Sequence, residues 1–200
     1  MNQFPVSSLR FPADPRGMVL PEARNREPQT PVKCFLPWLT AIFLTVSLLL
    51  TNYSYAAPDP DVQLDASRTG PRVVEEQTAN GIVRDYEAAW KALDEALEQN
   101  RPSLLGDLWT GFARQKWAEA IEQQKHSGVR VRYTVGQHRL TGIFYSPEGS
   151  ALELRDAAQM EMQILDGETV VHSEPVTTEF LVVMTPTSDH WQVRMLQQVQ

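Results

Sequence analysis

Residues 74–99, VEEQTANGIVRDYEAAWKALDEALEQ, decide the fold. Their apolar side chains fall at Ile82, Tyr86, Ala89, Trp90, Leu93, Ala96 and Leu97, spacings of three, four and seven that make one stripe on a 3.6-residue helix. Arg84, Glu87, Lys91, Asp94, Glu95 and Glu98 fall largely on the opposite face, with Lys91 placed at i,i±4 between Glu87 and Glu95. Asn100, Arg101 and Pro102 stop the helix, because proline cannot continue the ladder and restricts the residue before it. Gly81 lies inside the pattern, so Asn80 is an alternative N-cap, with Asp85 well placed near the positive end of the dipole. A stripe carrying two large aromatics needs a broad surface to cover it.

The remaining chain supplies that surface. Pro102-Ser103 opens a short helical segment, LLGDLW, with Ser103 as its expected cap, and Thr110-Gly111 punctuate it. A further helix is predicted over 112–126, closed by Ser127-Gly128. The period then changes from 3.6 to 2. Val129, Val131, Tyr133 and Val135 alternate with polar residues over 129–136, and a second strand is expected over 138–145, ended by the turn SPEGS. A long strand over 151–165 places Leu152, Leu154, Ala158, Met160, Met162 and Ile164 on one face. Asp156 interrupts that face, which predicts a bulge near 155–157 with the carboxylate facing water. Asp166-Gly167 is a strong hairpin signal. Strand residues resume over 169–172, Pro175 marks an edge or a break, and strands follow over 176–184 and 190–199. Helices followed by an antiparallel meander of four to six strands give an α+β layer architecture.

An address segment precedes this domain. Residues 35–51 (FLPWLTAIFLTVSLLLT) carry no charge; membrane spans need about 17–25 apolar residues and signal-peptide cores about 7–15. Arg24, Arg26 and Lys33 before it, and Asp59, Asp61 and Asp65 after it, place the N-terminus in the cytoplasm and the rest outside. Two outcomes are open. Ser54-Tyr55-Ala56 before Ala57 has the small residues of a signal-peptidase site, so cleavage between Ala56 and Ala57 is one; an uncleaved anchor is the other. A start at Met18 rather than Met1 would shorten the leading segment. The expected organisation is a disordered 1–34, a signal or anchor at 35–56, a polar linker at 57–72 and the folded domain at 73–200. The product is then periplasmic, secreted, or anchored with its C-terminal domain outside.

The only cysteine, Cys34, precedes the apolar run, so the exported part has no disulfide, thiolate nucleophile or cysteine metal ligand. Residues 57–200 hold 13 Lys+Arg against 22 Asp+Glu. That balance disfavours nucleic acid and anionic lipid as partners.

The long helix with Tyr86 and Trp90, the Leu-Trp-Thr-Gly-Phe stretch at 108–112, the Asp166-Gly167 hairpin and the closing His190-Trp191-Gln192-Val193-Arg194 strand resemble the nuclear transport factor 2-like superfamily, the cystatin-like cones that include the SnoaL-like proteins. The resemblance spans about 73–199. It implies a curved antiparallel sheet wrapped round the long helix, and a fold that hosts enzymes, ligand binders and assembly modules alike. Within it, the chain is similar to exported or tethered accessory domains, including those of organelle and cyanobacterial division proteins. It is also similar to the inner-membrane assembly component of type IV secretion, although that component's Asn-Pro-x-Gly turn is not found here.

For an enzyme of this fold, the resemblance implies proton transfer by a tyrosine with carboxylates or a His–Asp couple. By position the candidates are Tyr86, Asp107 and Asp156, which would need an apolar pocket to raise a carboxyl pKa beside an enolate-stabilising donor. Each also has a plain structural reading: a core tyrosine, an aspartate near a helix start, and an aspartate at a bulge. Tyr86, Trp90, Trp109, Tyr133, Met160 and Met162 are the expected lining of an apolar ligand pocket, or simply core. His126, His138, His172 and His190 lack ligand spacing and read as solvated or turn histidines, so no metal or other cofactor is expected. Arg130, Arg132 and Arg139 form a basic stripe that would meet an acidic partner or, as the leading reading, protect strand edges. The leading expectation is a non-catalytic binding or assembly module that takes a partner protein, an apolar small molecule or a second copy. The alternatives are a small isomerase or dehydratase and a membrane-anchored secretion scaffold.

Overall fold

The computed structural model describes residues 59–199. The expectations for residues 1–56, including the apolar segment and the Ala56–Ala57 cleavage site, lie outside the described residues. Among the described residues no helix is long and apolar enough to cross a membrane.

The chain runs as β1 (Asp61–Asp65), β2 (Gly70–Pro71), α1 (Glu76–Glu98), a 3-10 turn (Pro102–Leu105), α2 (Gly111–His126), β3 (Arg130–Tyr145), β4 (Leu152–Asp166), β5 (Thr169–Pro186) and β6 (Trp191–Val199). The sheet order is β1-β3-β4-β5-β6, with β2 also on β3, so the sheet is open between β1 and β6. The α+β architecture is the expected one, and the sheet is mixed rather than purely antiparallel. β3 to β6 form an antiparallel meander, while β1 and β2 lie parallel to β3.

The predicted stripe of α1 is its buried face: Ile82, Tyr86, Ala89, Trp90, Leu93, Ala96 and Leu97 are all buried. Each fully buried Ile or Leu there contributes about 1.5–3 kcal/mol. The sheet covers the stripe with Leu140, Leu152, Leu154, Ala158, Val182, Met184 and Val193. α1 is also tied to the β6 edge of the sheet through Trp109, whose Nε1 donates to Ala89 O at 2.8 Å. Trp109 is itself pinned against β6: the Thr110 amide donates to Val193 O at 2.9 Å, and the Val193 amide donates to Leu108 O at 2.8 Å.

Several sequence expectations need correction. Residues 57–72 were expected to be linker, yet 61–65 is a strand with Val62 buried. Its alternation is too short to read without the neighbour it pairs with. Ser103 does not cap the 3-10 turn; Arg101 does, with Pro102 in the first turn, where its missing N–H costs nothing. The strands expected over 129–136 and 138–145 are one strand, with register shifts at Thr134/Gln137 and Gly142/Phe144. The bulge expected near 155–157 is absent, because β4 keeps its register with both neighbours there. Pro175 does not break β5. β6 pairs only with Glu179–Pro186, so Pro175 lies where β5 has β4 alone, the edge position that a residue without an N–H tolerates. The Asp166-Gly167 hairpin is present, with Gly167 at φ 58°, a conformation that favours glycine.

Candidate functional site

The buried polar groups meet at one place. α1 projects Tyr86 and Trp90 inward, one turn apart. β3 and β4 present His138 and Asp156 on the sheet's inner face, diagonal to each other, since His138 pairs with Ala158 and Asp156 with Leu140. Tyr86 Oη donates to Asp156 Oδ2 at 2.8 Å. His138 Nδ1 lies 2.8 Å from the same oxygen. Trp90 lies over the His138 ring, with centroids 4.5 Å apart at 35°, and the Tyr86 ring meets His138 edge-on at 5.7 Å. Gly136 permits this placement, because a Cβ there would sit 2.9 Å from His138 Nε2.

The cluster is shut off from solvent. Tyr86 and Asp156 are 0% exposed and His138 is 1% exposed. Burial, and next the Asp156 charge, push the Tyr86 hydroxyl well above the usual tyrosine range. Asp156 Oδ1 and Trp90 Nε1 have no hydrogen-bond partner among the described residues. Tyrosine, carboxylate and imidazole in contact form a proton-transfer unit in principle, but a substrate could reach it only if Trp90 or its neighbours moved.

The structure thus brings Tyr86 and Asp156 together and leaves Asp107 out. The Asp107 side chain is 79% exposed, and its carboxylate lies 3.7 Å from His190 Nε2. The expectation that Asp156 faces water at a bulge is overturned: it points into the core. The reading of His138 as a solvated or turn histidine is overturned as well: it is buried against Asp156. Alternation from Val131 and Tyr133 puts residue 138 on the outer face; the shift between Thr134 and Gln137 reverses the phase and turns His138 and Leu140 inward. His138 and Leu140 on either side of Arg139 are too short a signal to reveal this.

Trp90, Trp109 and Tyr133 gather with Phe180 round the Trp90 ring, at centroid distances of 6.4, 6.5 and 5.9 Å from it. Met160 is buried in the core, and Met162 packs against it half-buried. These side chains fill the inside of the roll by packing on one another. His126 and His172 are exposed, and His190 sits in the β5–β6 turn against Asp189 and Thr187. Among the described residues no three His, Cys, Asp or Glu side chains converge on a metal position.

Two further features flank the core. Asp94 of α1 accepts the Tyr133 amide at 2.7 Å, and burial raises its pKa to about 6. Burial, with Asp94 second, pushes the Tyr133 hydroxyl to about 12. At the other end of α1, an open groove of about 640 Å³ runs between Gly81 and Arg84 on the helix and residues 186–191. Beneath it Asp85 holds Arg84 at 2.8 Å and accepts the Trp191 amide at 2.7 Å, which fastens α1 to β6.

No protein-family model matches the chain, and no curated protein matches it. Solved structures do. The intermembrane-space region of the chloroplast protein ARC6 superposes with a TM-score of 0.50 at 16% identity, covering 64% of this chain and 98% of that one. ActVI-ORFA from Streptomyces coelicolor gives 0.43 at 9% identity, covering 60% and 95%. A putative dehydratase of the NTF2-like family from Streptomyces avermitilis gives 0.38 at 12%, covering 60% and 96%. At these identities the likeness is one of fold.

Proposed function

Starting from its fold, the cone of the nuclear transport factor 2-like superfamily, we propose that this chain is a non-catalytic binding or assembly module displayed outside the cytoplasmic membrane. The observation that carries this reading is the closure of the Tyr86–Asp156–His138 cluster. The groups best suited to acid–base work are 0–1% exposed beneath Trp90. Buried in this way they tie α1 to β3 and β4.

Binding then falls to the outside of the sheet. One outer row runs Phe144, Glu153, Val183, Met195 across β3 to β6, and the next runs Thr141, Arg155, Leu181, Gln197. Phe144 is 41% exposed, and Val183, Met195 and Leu181 are half-buried. An apolar centre with a rim that includes the Arg155–Glu179 pair suits a partner protein or a second copy. Export follows from the uncharged 35–51 segment and the charges on either side of it. The fold-level likeness to the intermembrane-space region of chloroplast ARC6 supports this reading.

The test is photo-cross-linking in the native host, with the reactive residue at Val183 on the outer face or at Leu154 in the core. A discrete adduct from Val183 and none from Leu154 is expected. A chemical conversion lost in Tyr86→Phe and Asp156→Asn, with folding intact, would instead establish the second reading. That reading is a proton-transfer enzyme of isomerase or dehydratase type that opens by moving Trp90, and the contact of Tyr86 and His138 with one carboxylate oxygen is what favours it.

A further inference from the structure

β5 has neighbours on both sides for only part of its length. β6 pairs with it from Glu179 to Pro186. Over residues 169–178 it is bonded to β4 on one side and, among the described residues, to no strand on the other. Pro175 shows which groups face the open side. It pairs with Glu161 inside a regular stretch of the ladder, a place that proline occupies when its missing N–H would have pointed away from the neighbour. Backbone orientation repeats every two residues in an antiparallel ladder, so the amides and carbonyls of Ser173 and Thr177 face the open side as well. An edge of this kind takes an extended polypeptide by main-chain pairing.

Its surroundings define the chemistry of that polypeptide. Residues 161–174 carry Glu161, Asp166, Glu168 and Glu174 and no Lys or Arg. The cations across the sheet are already engaged: Arg130 by Glu168 and Arg132 by Glu98. Apolar contact is available from exposed Val170 and Val171 and from half-buried Val176 and Met162. Pro175 limits how far two copies of this same edge can pair, and both copies would bring the same acidic charge.

We propose that residues 169–178 of β5 accept an extended segment of a partner protein, with alternating basic and apolar residues, as an added strand on the line of β6. Glu161, on the outer face beside Pro175, selects its basic side chains, and Val176 and Met162, on the inner face, take apolar ones. This rests on the reading of the domain as a binding module, and gives that module a second surface, separate from the outer face.

The test uses the full chain in detergent micelles and two synthetic octapeptides, one alternating Val and Lys, the other Val and Glu. The Val-Lys peptide is expected to bind and to slow amide exchange in residues 169–178 by at least about tenfold, leaving 179–186 unchanged. Thr177→Pro removes one outward-facing N–H and is expected to weaken binding at least about tenfold with the thermal midpoint retained; Ser173→Pro serves if that variant does not fold. Glu161→Gln should weaken binding and flatten its salt dependence. Equal binding of the Val-Glu peptide, no protection at 169–178, or indifference to both prolines overturns the proposal. If any of these occurs while Val183 still cross-links a partner, the binding-module reading stands and the edge is not its surface. Failure of both experiments removes both.

Discussion

β5 is one strand in two settings. Between β4 and β6, Val182 and Met184 are fully buried; beyond the end of β6, Val170 and Val171 are 44% and 58% exposed. Both halves are rich in β-branched residues, so intrinsic propensity does not separate them. The number of neighbouring strands does. The half with two neighbours lies near the polar cluster: Phe180 pairs with Asp156 and packs on Trp90. The half with one neighbour keeps its backbone available. A closed core and an open edge are thus assigned to opposite ends of a single strand by where β6 stops.

The largest expected effect comes from breaking the closed end. Asp156→Ala leaves Tyr86 and His138 buried without their shared acceptor and should cost about 3–5 kcal/mol in urea denaturation. A cost under about 1 kcal/mol would mean that the cluster does not hold α1 to the sheet. Amide exchange sharpens the contrast without mutation: residues 179–186 should exchange near the rate of global unfolding, and residues 169–178 by local opening.

A smaller effect is expected at Asp94, which links α1 to the β3 bulge. Its pKa rises from 3.8 to about 6 on folding, so between those values the folded state binds more protons than the unfolded one, and stability falls as pH rises. Above about pH 6 the ionised carboxylate is held at a cost of about 1–2 kcal/mol, allowing for its partial exposure. Asp94→Asn keeps an acceptor for the Tyr133 amide. It should therefore stabilise the protein by about that amount at pH 7.5, with the gain gone below about pH 4. The smallest effect belongs to the open end: Val171→Ser should change stability by no more than about 0.5 kcal/mol. A larger loss there would show that the edge is already covered.

The helical half was legible because its signals are local. A 3.6-residue stripe needs no partner to be recognised, and the predicted stripe of α1 is the buried one. The Asp166-Gly167 turn was legible for the same reason. The site was legible only in part. The sequence points to Tyr86 and Asp156, but it groups Asp107 with them by analogy of position and makes His138 a solvated or turn histidine. Residues 61–65 were read as linker because a five-residue strand takes its meaning from the strand beside it.

By itself, then, the sequence determined an α+β chain with a long amphipathic helix, an acidic C-terminal part without cysteine, and an uncharged segment ahead of it. Each of these is a property of composition or of periodicity within one element. Only the tertiary structure decided that β3 reverses its phase and turns His138 inward, that Asp156 is core rather than surface, and that β5 outruns β6. Those outcomes depend on register between strands distant in the chain. A one-residue shift in register exchanges the inner and outer faces of every residue that follows, and no local pattern specifies it.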